Sequence, residues 1–355
     1  MNNAAAIGDG IFRIAVPITG SPLGHTLVYA MESPNGVVLV DAGWDDDAAW
    51  DALSAGLEDI GHGVADVEGV VLTHFHPDHV GLCGRVREAS GAWIAMHESD
   101  RVHFDEMVVP RDTGWVASEK KTLRLAGAAA ADLAEFERDV RRTPPARPQA
   151  APDRTLMDGE IIALAGRGLR TVHTPGHTPG HVCFYLEDID VMFTGDHVLQ
   201  KTSPHVGTAT VPLAERDALA EFMDSLRRVA SLGVTRGLGA HGAVIDDVAG
   251  RAKALIGHHD EQLDHLYAAF GDDPITLWQT ANLMRWYKPW AELPWTGKSL
   301  ALSEAAAHLR HLVARGLIVP EPGEGPALFR RADPAVPSSD SIAQPRECVA
   351  DPLRA

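Results

Sequence analysis

VVLTHFHPDHVG, residues 70–81, places three histidines and an aspartate within six positions, directly after a run of β-branched and aliphatic residues. A run of this kind that breaks into polar residues reads as a buried strand whose end projects a loop. Neutral imidazole nitrogen and carboxylate oxygen are good ligands for divalent zinc. Neighbouring side chains point different ways, so His74, His76, Asp78 and His79 can serve two adjacent ions. Pro77 restricts the turn between His76 and Asp78. Core histidines occur singly, and surface histidines have no reason to collect at a strand end. The density of this loop therefore marks a metal centre.

One loop cannot close two coordination shells, so further ligands must come from other strand ends. His177 lies in TVHTPGHTPGH (171–181), where paired Pro-Gly steps force a turn. Asp196 ends MFTGD (192–196), and His241 lies among small residues in GLGAHG (237–242). Taken singly, a histidine after a strand is more often structural and a Gly-Asp pair is usually a turn. In combination with residues 70–81, these segments resemble the metallo-β-lactamase superfamily, whose pattern is HxHxDH, a distant His, a bridging Asp and a final His.

The resemblance covers roughly residues 10–260 in order and implies an α/β fold, an αββα sandwich with the metals at one edge. By matching position it implies that His74, His76 and His177 hold one metal and that Asp78, His79 and His241 hold the other. Asp196 would bridge them. Asp41, in VDAG, matches an acidic residue that supports the metal loop, and His181 orients its loop by hydrogen bonding. His97, His103, His173, His205, His258 and His259 have no partner pattern and stay outside the metal set. The implied cofactor is two zinc ions, with iron or manganese as alternatives. Two divalent ions lower the pKa of a shared water to roughly 7, which makes a bridging hydroxide available. Asp78 or Asp196 would accept and relay the proton. His76 stands where the iron-containing flavodiiron branch carries glutamate, which favours hydrolysis. Persulfide dioxygenases share HxHxDH and keep an iron-dependent oxidoreductase as an alternative.

Working outward, IFRIAV (11–16), HTLVYAM (25–31), GVVLVDA (36–42), VEGVVLT (67–73) and WIAM (93–96) read as strands. Helices are expected at 46–61 and from about Val80 to Ser90. Residues 98–150 lose the strand pattern and read as a helical insertion. Strands resume with IIALAG (161–166), LRTVHT (169–174), VCFYLE (182–187) and DVMFTG (190–195), and the stretch from about 212 to 271 reads as mostly helical.

Beyond 272 the pattern changes to helices near 276–287 and 300–315 followed by a hairpin, LIVP-EPGEGP-ALFRR. This suggests a small winged-helix-like domain over 272–331, after a catalytic domain over 1–271 and before a flexible, Pro- and Ser-rich tail at 332–355. The extension resembles that of one branch of the superfamily, which includes glyoxalase II-like and thioesterase-like hydrolases and an endoribonuclease. Residues 274–331 carry seven Lys and Arg against four Glu, a mild excess for binding nucleic acid. Arg310, Arg315, Arg330 and Arg331 could form a small phosphate-contacting face. Trp278, Trp286, Trp290 and Trp295 look more like packing against the main domain.

The 355 residues are 45% hydrophobic and 23% charged, ordinary for a globular chain with a sizeable core. A net charge of −18 repels phosphate backbones and favours a small-molecule acyl substrate over nucleic acid. No apolar run is long enough to span a bilayer, and no leader is apparent, which points to the cytoplasm and no membrane partner. Cys83, Cys183 and Cys348 suggest neither disulfides nor a CxxC site. Apolar residues on the insertion could support a homodimer. The leading expectation is a metal-dependent hydrolase of a thioester, ester or lactone, with an endoribonuclease as the alternative.

Overall fold

A computed structural model describes residues 3–107, 113–141, 150–208, 210–271 and 273–333, apart from a few side chains including that of His103. The expected flexible tail lies almost wholly outside these residues.

Two sheets pack face to face. The first contains, in spatial order, β1 (Ala4–Gly8), β2 (Ile11–Pro17), β3 (His25–Ser33), β4 (Gly36–Val40), β5 (Val67–Val71), β6 (Trp93–His97) and β7 (Arg154–Leu156). It is antiparallel up to β4 and parallel from β4 to β7. The second comprises β8 (Ile161–Leu164), β9 (Arg167–His173), β10 (Val182–Leu186), β11 (Val191–Gly195) and β12 (Arg236–Gly239). These are antiparallel except for the parallel pair β11 and β12.

The alternation of apolar residues along the strands decides what each face meets. Tyr29, Met31, Val38 and Val40 of the first sheet meet Leu169, Phe184 and Phe193 of the second in the sandwich interior. Burying a side chain of this size stabilises the fold by roughly 1.5–3 kcal/mol. The opposite face of the first sheet is covered by helices α1 (Asp47–Asp59), α2 (Pro77–Val80), α3 (Cys83–Ser90) and α4 (Glu98–Met107). Asp46 caps α1 by accepting from the Ala49 amide, and Leu53 and Leu57 on its buried face meet Ile14 and Val28.

The outer face of the second sheet carries α5 (Thr113–Ala126), α6 (Ala130–Val140), α7 (Ala218–Ser231) and α8 (Val248–Ala269). The chain then continues through β13 (Ile275–Thr276), α9 (Leu277–Leu283), α10 (Trp295–Ala314), β14 (Ile318–Glu321) and β15 (Leu328–Arg331). The last three strands form a small sheet in the order β13, β15, β14. Leu123 and Phe136 of the insertion, Phe222 of α7, Leu263 of α8, Leu302 of α10 and Phe329 of β15 belong to one continuous apolar core. Trp295 is buried and packs on Phe136, while Trp278 packs on Trp290 and Trp295. The C-terminal arginines are largely engaged within the chain: Arg310 donates to the Glu215 carbonyl, Arg330 pairs with Glu321, and Arg331 donates to the Tyr267 and Ala268 carbonyls.

Several boundaries differ from expectation. The helix expected from Val80 to Ser90 is two helices, because the Leu82 amide leaves the helical ladder to donate to the Gly43 carbonyl. The stretch read as mostly helical after 212 contains β12, whose Arg-Gly-Leu-Gly sequence has too little apolar pattern to announce a strand. Helix α9 stops at Leu283, and α10 begins at Trp295, just after Pro294. No described helix is long and apolar enough to cross a membrane.

Candidate metal centre

The parallel and crossover pairings bring the ends of β4, β5, β9, β11 and β12 to one edge of the sandwich. Because β4 and β5 run parallel, Asp41 at the end of one lies beside Thr73 at the end of the other. The Asp41 amide donates to the Val71 carbonyl. In the second sheet the parallel pair β11 and β12 places Asp196 and His241 next to one another. The two edges are tied together: the Val182 amide donates to the Thr73 carbonyl, the Leu27 amide to the Ala240 carbonyl, and the Tyr29 hydroxyl to the Gly239 carbonyl.

All seven residues singled out from the sequence as metal ligands converge there. His74 Nε2 lies 2.9 Å from His76 Nδ1 and 3.1 Å from His177 Nε2, and the last two nitrogens are 2.9 Å apart. Beside this trio, His241 Nε2 is 3.4 Å from Asp78 Oδ2, and His79 Nε2 is 3.7 Å from the same oxygen. Asp196 stands between the groups, with Oδ2 3.7 Å from both His177 Nε2 and His79 Nε2 and Oδ1 3.4 Å from His241 Nε2.

Hydrogen bonds on the far side of the rings set which nitrogen faces inward. His79 Nδ1 donates to Asp41 at 2.8 Å, His177 Nδ1 to the His205 carbonyl at 2.6 Å, and His241 Nδ1 to the His25 carbonyl at 2.9 Å. In the neutral form of each ring, Nε2 is therefore left with its lone pair directed at the cluster. Asp41 also accepts from the Thr73 amide and hydroxyl, and it holds a left-handed backbone, φ 62°, at the strand end. His181 lies behind the cluster. Its Nε2 accepts from the Asp196 amide and its Nδ1 donates to Thr174, so it braces the loop that carries Asp196. Gly195 has φ +49°, and an added Cβ would stand 2.7 Å from His181 Nε2 and 2.8 Å from Thr73 Cβ, so the turn into Asp196 needs glycine.

The electrostatics divide the cluster. Burial, reinforced by the surrounding imidazoles, holds His74 and His76 well below the usual histidine range, and His177 is lowered mainly by burial. These rings are neutral, the form in which imidazole binds metal. Burial also opposes a charge on His79, but Asp41, Asp78 and Asp196 outweigh it and raise its pKa well above the ordinary value. Burial disfavours charge on Asp78 as well, yet His79 and His241 hold it at about 2. Asp196 is likewise held well below the carboxylate range against burial, by His241 and His79.

These residues fit a divalent cation on their own chemistry. His79 Nε2, His241 Nε2 and Asp196 Oδ1 are buried without a hydrogen-bond partner, which is costly unless something positive sits among them. Three lone-pair nitrogens about 3 Å apart repel one another. Their spacing is slightly tighter than the roughly 3.3 Å that a tetrahedral ion with bonds of about 2.0–2.1 Å would impose. Three overlapping groups meet the geometry of a cation site: His74, His76 and His177; His74, His79 and Asp196; and Asp78, His79 and His241.

Asp100 was not anticipated from the sequence. It is fully buried and accepts from the Phe75 amide, the Thr178 hydroxyl and the Gly180 amide, so it ties the 74–79 loop to the 174–181 loop. Its place just past β6 repeats the strand-end position of Asp41, and that was the available signal. His97 and His173 stack on each other at 4.0 Å, and His205 contributes its carbonyl to His177. His258 is exposed and His259 is buried in the helical layer.

Known proteins resemble this chain over part or nearly all of its length. The lactamase-like protein aptB of Emericella nidulans is 36% identical over 122 residues, covering 34% of this chain and 36% of that protein. An atrochrysone carboxyl ACP thioesterase of Aspergillus novofumigatus is 42% identical over 100 residues, covering 27% of this chain and 28% of that one. The chain thus matches about a third of the length of these curated relatives. A crystal structure of a metallo-beta-lactamase family protein from Thermus thermophilus superposes with a TM-score of 0.73 at 30% identity, over 92% of this chain and all of the other. A beta-lactamase domain protein from Burkholderia ambifaria shares the fold at 24% identity, with a TM-score of 0.80 over 93% and 94% of the two chains. Residues 21–241, which include every residue of the cluster, match the family model described as the metallo-beta-lactamase superfamily, and the chain belongs to that superfamily.

Proposed function

We propose that this chain is a dinuclear metal-dependent hydrolase acting on a thioester, ester or lactone of a small organic or acyl substrate, with thioesters first. His74, His76 and His177 would hold one ion, Asp78, His79 and His241 the other, and Asp196 would bridge. The observation that carries this reading is the convergence of seven candidate ligand side chains, among which His79 Nε2, His241 Nε2 and Asp196 Oδ1 are buried with no hydrogen-bond partner. Zinc suits this nitrogen and oxygen set best. When bound, two such ions would supply Lewis acidity for a carbonyl oxygen and ionise water near neutral pH.

The chain's own part is orientation and proton handling. Asp41 and the His205 and His25 carbonyls fix the ring tautomers. Asp78 and Asp196 are held ionised by the histidines around them, the form in which a carboxylate binds a cation, and their depressed pKa makes them weak bases, so either would relay a proton only transiently. A thiolate is a good leaving group and needs little proton assistance, and a similar segment belongs to a protein named as a thioesterase. The engagement of Arg310, Arg330 and Arg331 within the chain supports an acyl substrate over RNA.

The test is metal content by elemental analysis together with turnover of a panel of acyl thioesters, lactones and single-stranded RNA by one preparation. Two zinc per chain with thioester or lactone turnover is the expected result. RNA cleavage alone, or iron with no hydrolysis of any acyl substrate, would overturn it.

A further inference from the structure

Hydrogen bonds connect the metal cluster to the C-terminal helix α10 through the loop that carries His205. His177 Nδ1 donates to the carbonyl of His205. The imidazole of His205 then reaches α10, its Nε2 lying 3.1 Å from the Leu300 carbonyl and 3.0 Å from Ser303 Oγ. The Ser303 hydroxyl donates to the same Leu300 carbonyl at 2.9 Å, which leaves its oxygen free to accept from His205. The Ser303 carbonyl accepts from the Thr208 amide at 3.2 Å, a second tie between the loop and the helix.

The loop that carries His205 has no helix or strand of its own, so its carbonyls are only as well placed as its anchors. At its start, Arg251 of α8 donates to the carbonyls of Leu199, Lys201 and Thr202. At its end the anchor is α10. The packing there is close: a Cβ added to Gly207 would stand 2.3 Å from His205 Cε1 and 2.7 Å from Ser303 Oγ.

We propose that His205 is a positioning residue whose anchorage on Leu300 and Ser303 holds the carbonyl that orients His177, making α10 a working part of the metal centre. The inference rests on reading His177 as a metal ligand. It assigns the C-terminal unit a role at the site that does not depend on binding any partner.

The test is cobalt and zinc titration of the full-length chain against a competing chelator, with the cobalt absorption spectrum recorded for each variant. His205→Ala is expected to weaken one of the two metal equivalents by about 10- to 100-fold and to alter its cobalt spectrum, while the melting temperature of the metal-free protein stays close to native. His205→Gln, whose amide can still donate to the Leu300 carbonyl, should recover most of the affinity, and Ser303→Ala should lose less than His205→Ala. Native affinity for both equivalents with an unchanged cobalt spectrum in His205→Ala would overturn the proposal. Should that variant fail to fold, Ser303→Ala and Gly207→Ala decide: weakening of the same equivalent supports it, and native binding in both overturns it. Unchanged affinity in His177→Ala would instead remove the metal-ligand reading on which the proposal stands.

Discussion

Among the described residues, two of the histidine groups behave differently. At the sandwich edge, His74, His76, His79, His177 and His241 surround Asp78 and Asp196. In the helical layer, His259 of α8 and His308 of α10 form a pair with 3.3 Å between Nδ1 and Nε2. Both members of the pair are fully buried. His308 Nδ1 donates to the Glu304 carbonyl, so its Nε2 accepts from His259, and the edge of Phe222 closes one side. Burial lowers the pKa of both, that of His308 to about 4. Burial alone therefore yields neutral imidazoles: His259 donates to His308, and its own Nε2 is left in an apolar setting with no partner and no carboxylate beside it. A cation site needs more: several ligand nitrogens converging within a few ångströms of one another and of ionised carboxylates.

Breaking the edge group should have the largest effects. Asp196→Ala removes the carboxylate shared by both halves and is expected to lower hydrolysis by more than about a hundredfold, beyond the usual cost of outer-shell changes. Metal content should fall in parallel, and two tightly held ions per chain in this variant would show that Asp196 is not shared. Chelation should come next. Loss of ligand from a native state held at about a hundred times Kd costs about 2.7 kcal/mol, so the melting temperature should drop on adding chelator and recover with zinc. An unchanged melting curve would mean that the cluster holds no ion in the native protein. Asp41→Asn leaves the ligands in place but weakens the acceptor on His79 Nδ1, and is expected to reduce metal affinity about 10- to 100-fold. Native affinity would assign the orientation of His79 to packing.

The helical pair sharpens the contrast through acid stability, with the smallest expected effect on activity. Its folded pKa values lie below the ordinary 6.5, so between pH 6.5 and 4 the unfolded chain takes up protons that the folded pair refuses. Stability must then fall as pH drops through that window. Replacing both residues, His259→Phe with His308→Leu, should flatten the acid limb of a denaturation series by about 1.4 kcal/mol per pH unit for each histidine that stays neutral in the fold. An unaltered slope would show that the pair is already protonated in the folded chain, against the burial argument.

Much of the architecture was legible because apolar periodicity and strand-end motifs are local signals. The strands from Ile11 to Gly195 that flank the cluster were placed to within a few residues, and each of His74, His177 and Asp196 follows a run whose pattern announces a strand. His241 was found through its small neighbours and the family pattern, although its own strand was hidden: β12 is held by pairing with β11, and its four residues carry almost no pattern. The same limit applies to Asp100, whose partners lie 25, 78 and 80 residues away in the chain, and to His205, whose anchors on α10 lie 95 and 98 residues away.

By itself the sequence determined the candidate ligand types, their order and the strand ends that carry them, and its resemblance to the superfamily implied the α/β sandwich. Residue chemistry and periodicity are properties of neighbours along the chain. The tertiary structure decided which nitrogen of each ring faces inward, how Asp100 joins two loops, and how the C-terminal helix reaches His177 through His205. Those outcomes depend on where distant backbone carbonyls and carboxylates come to rest, and that is set only once the sheets and helices have packed.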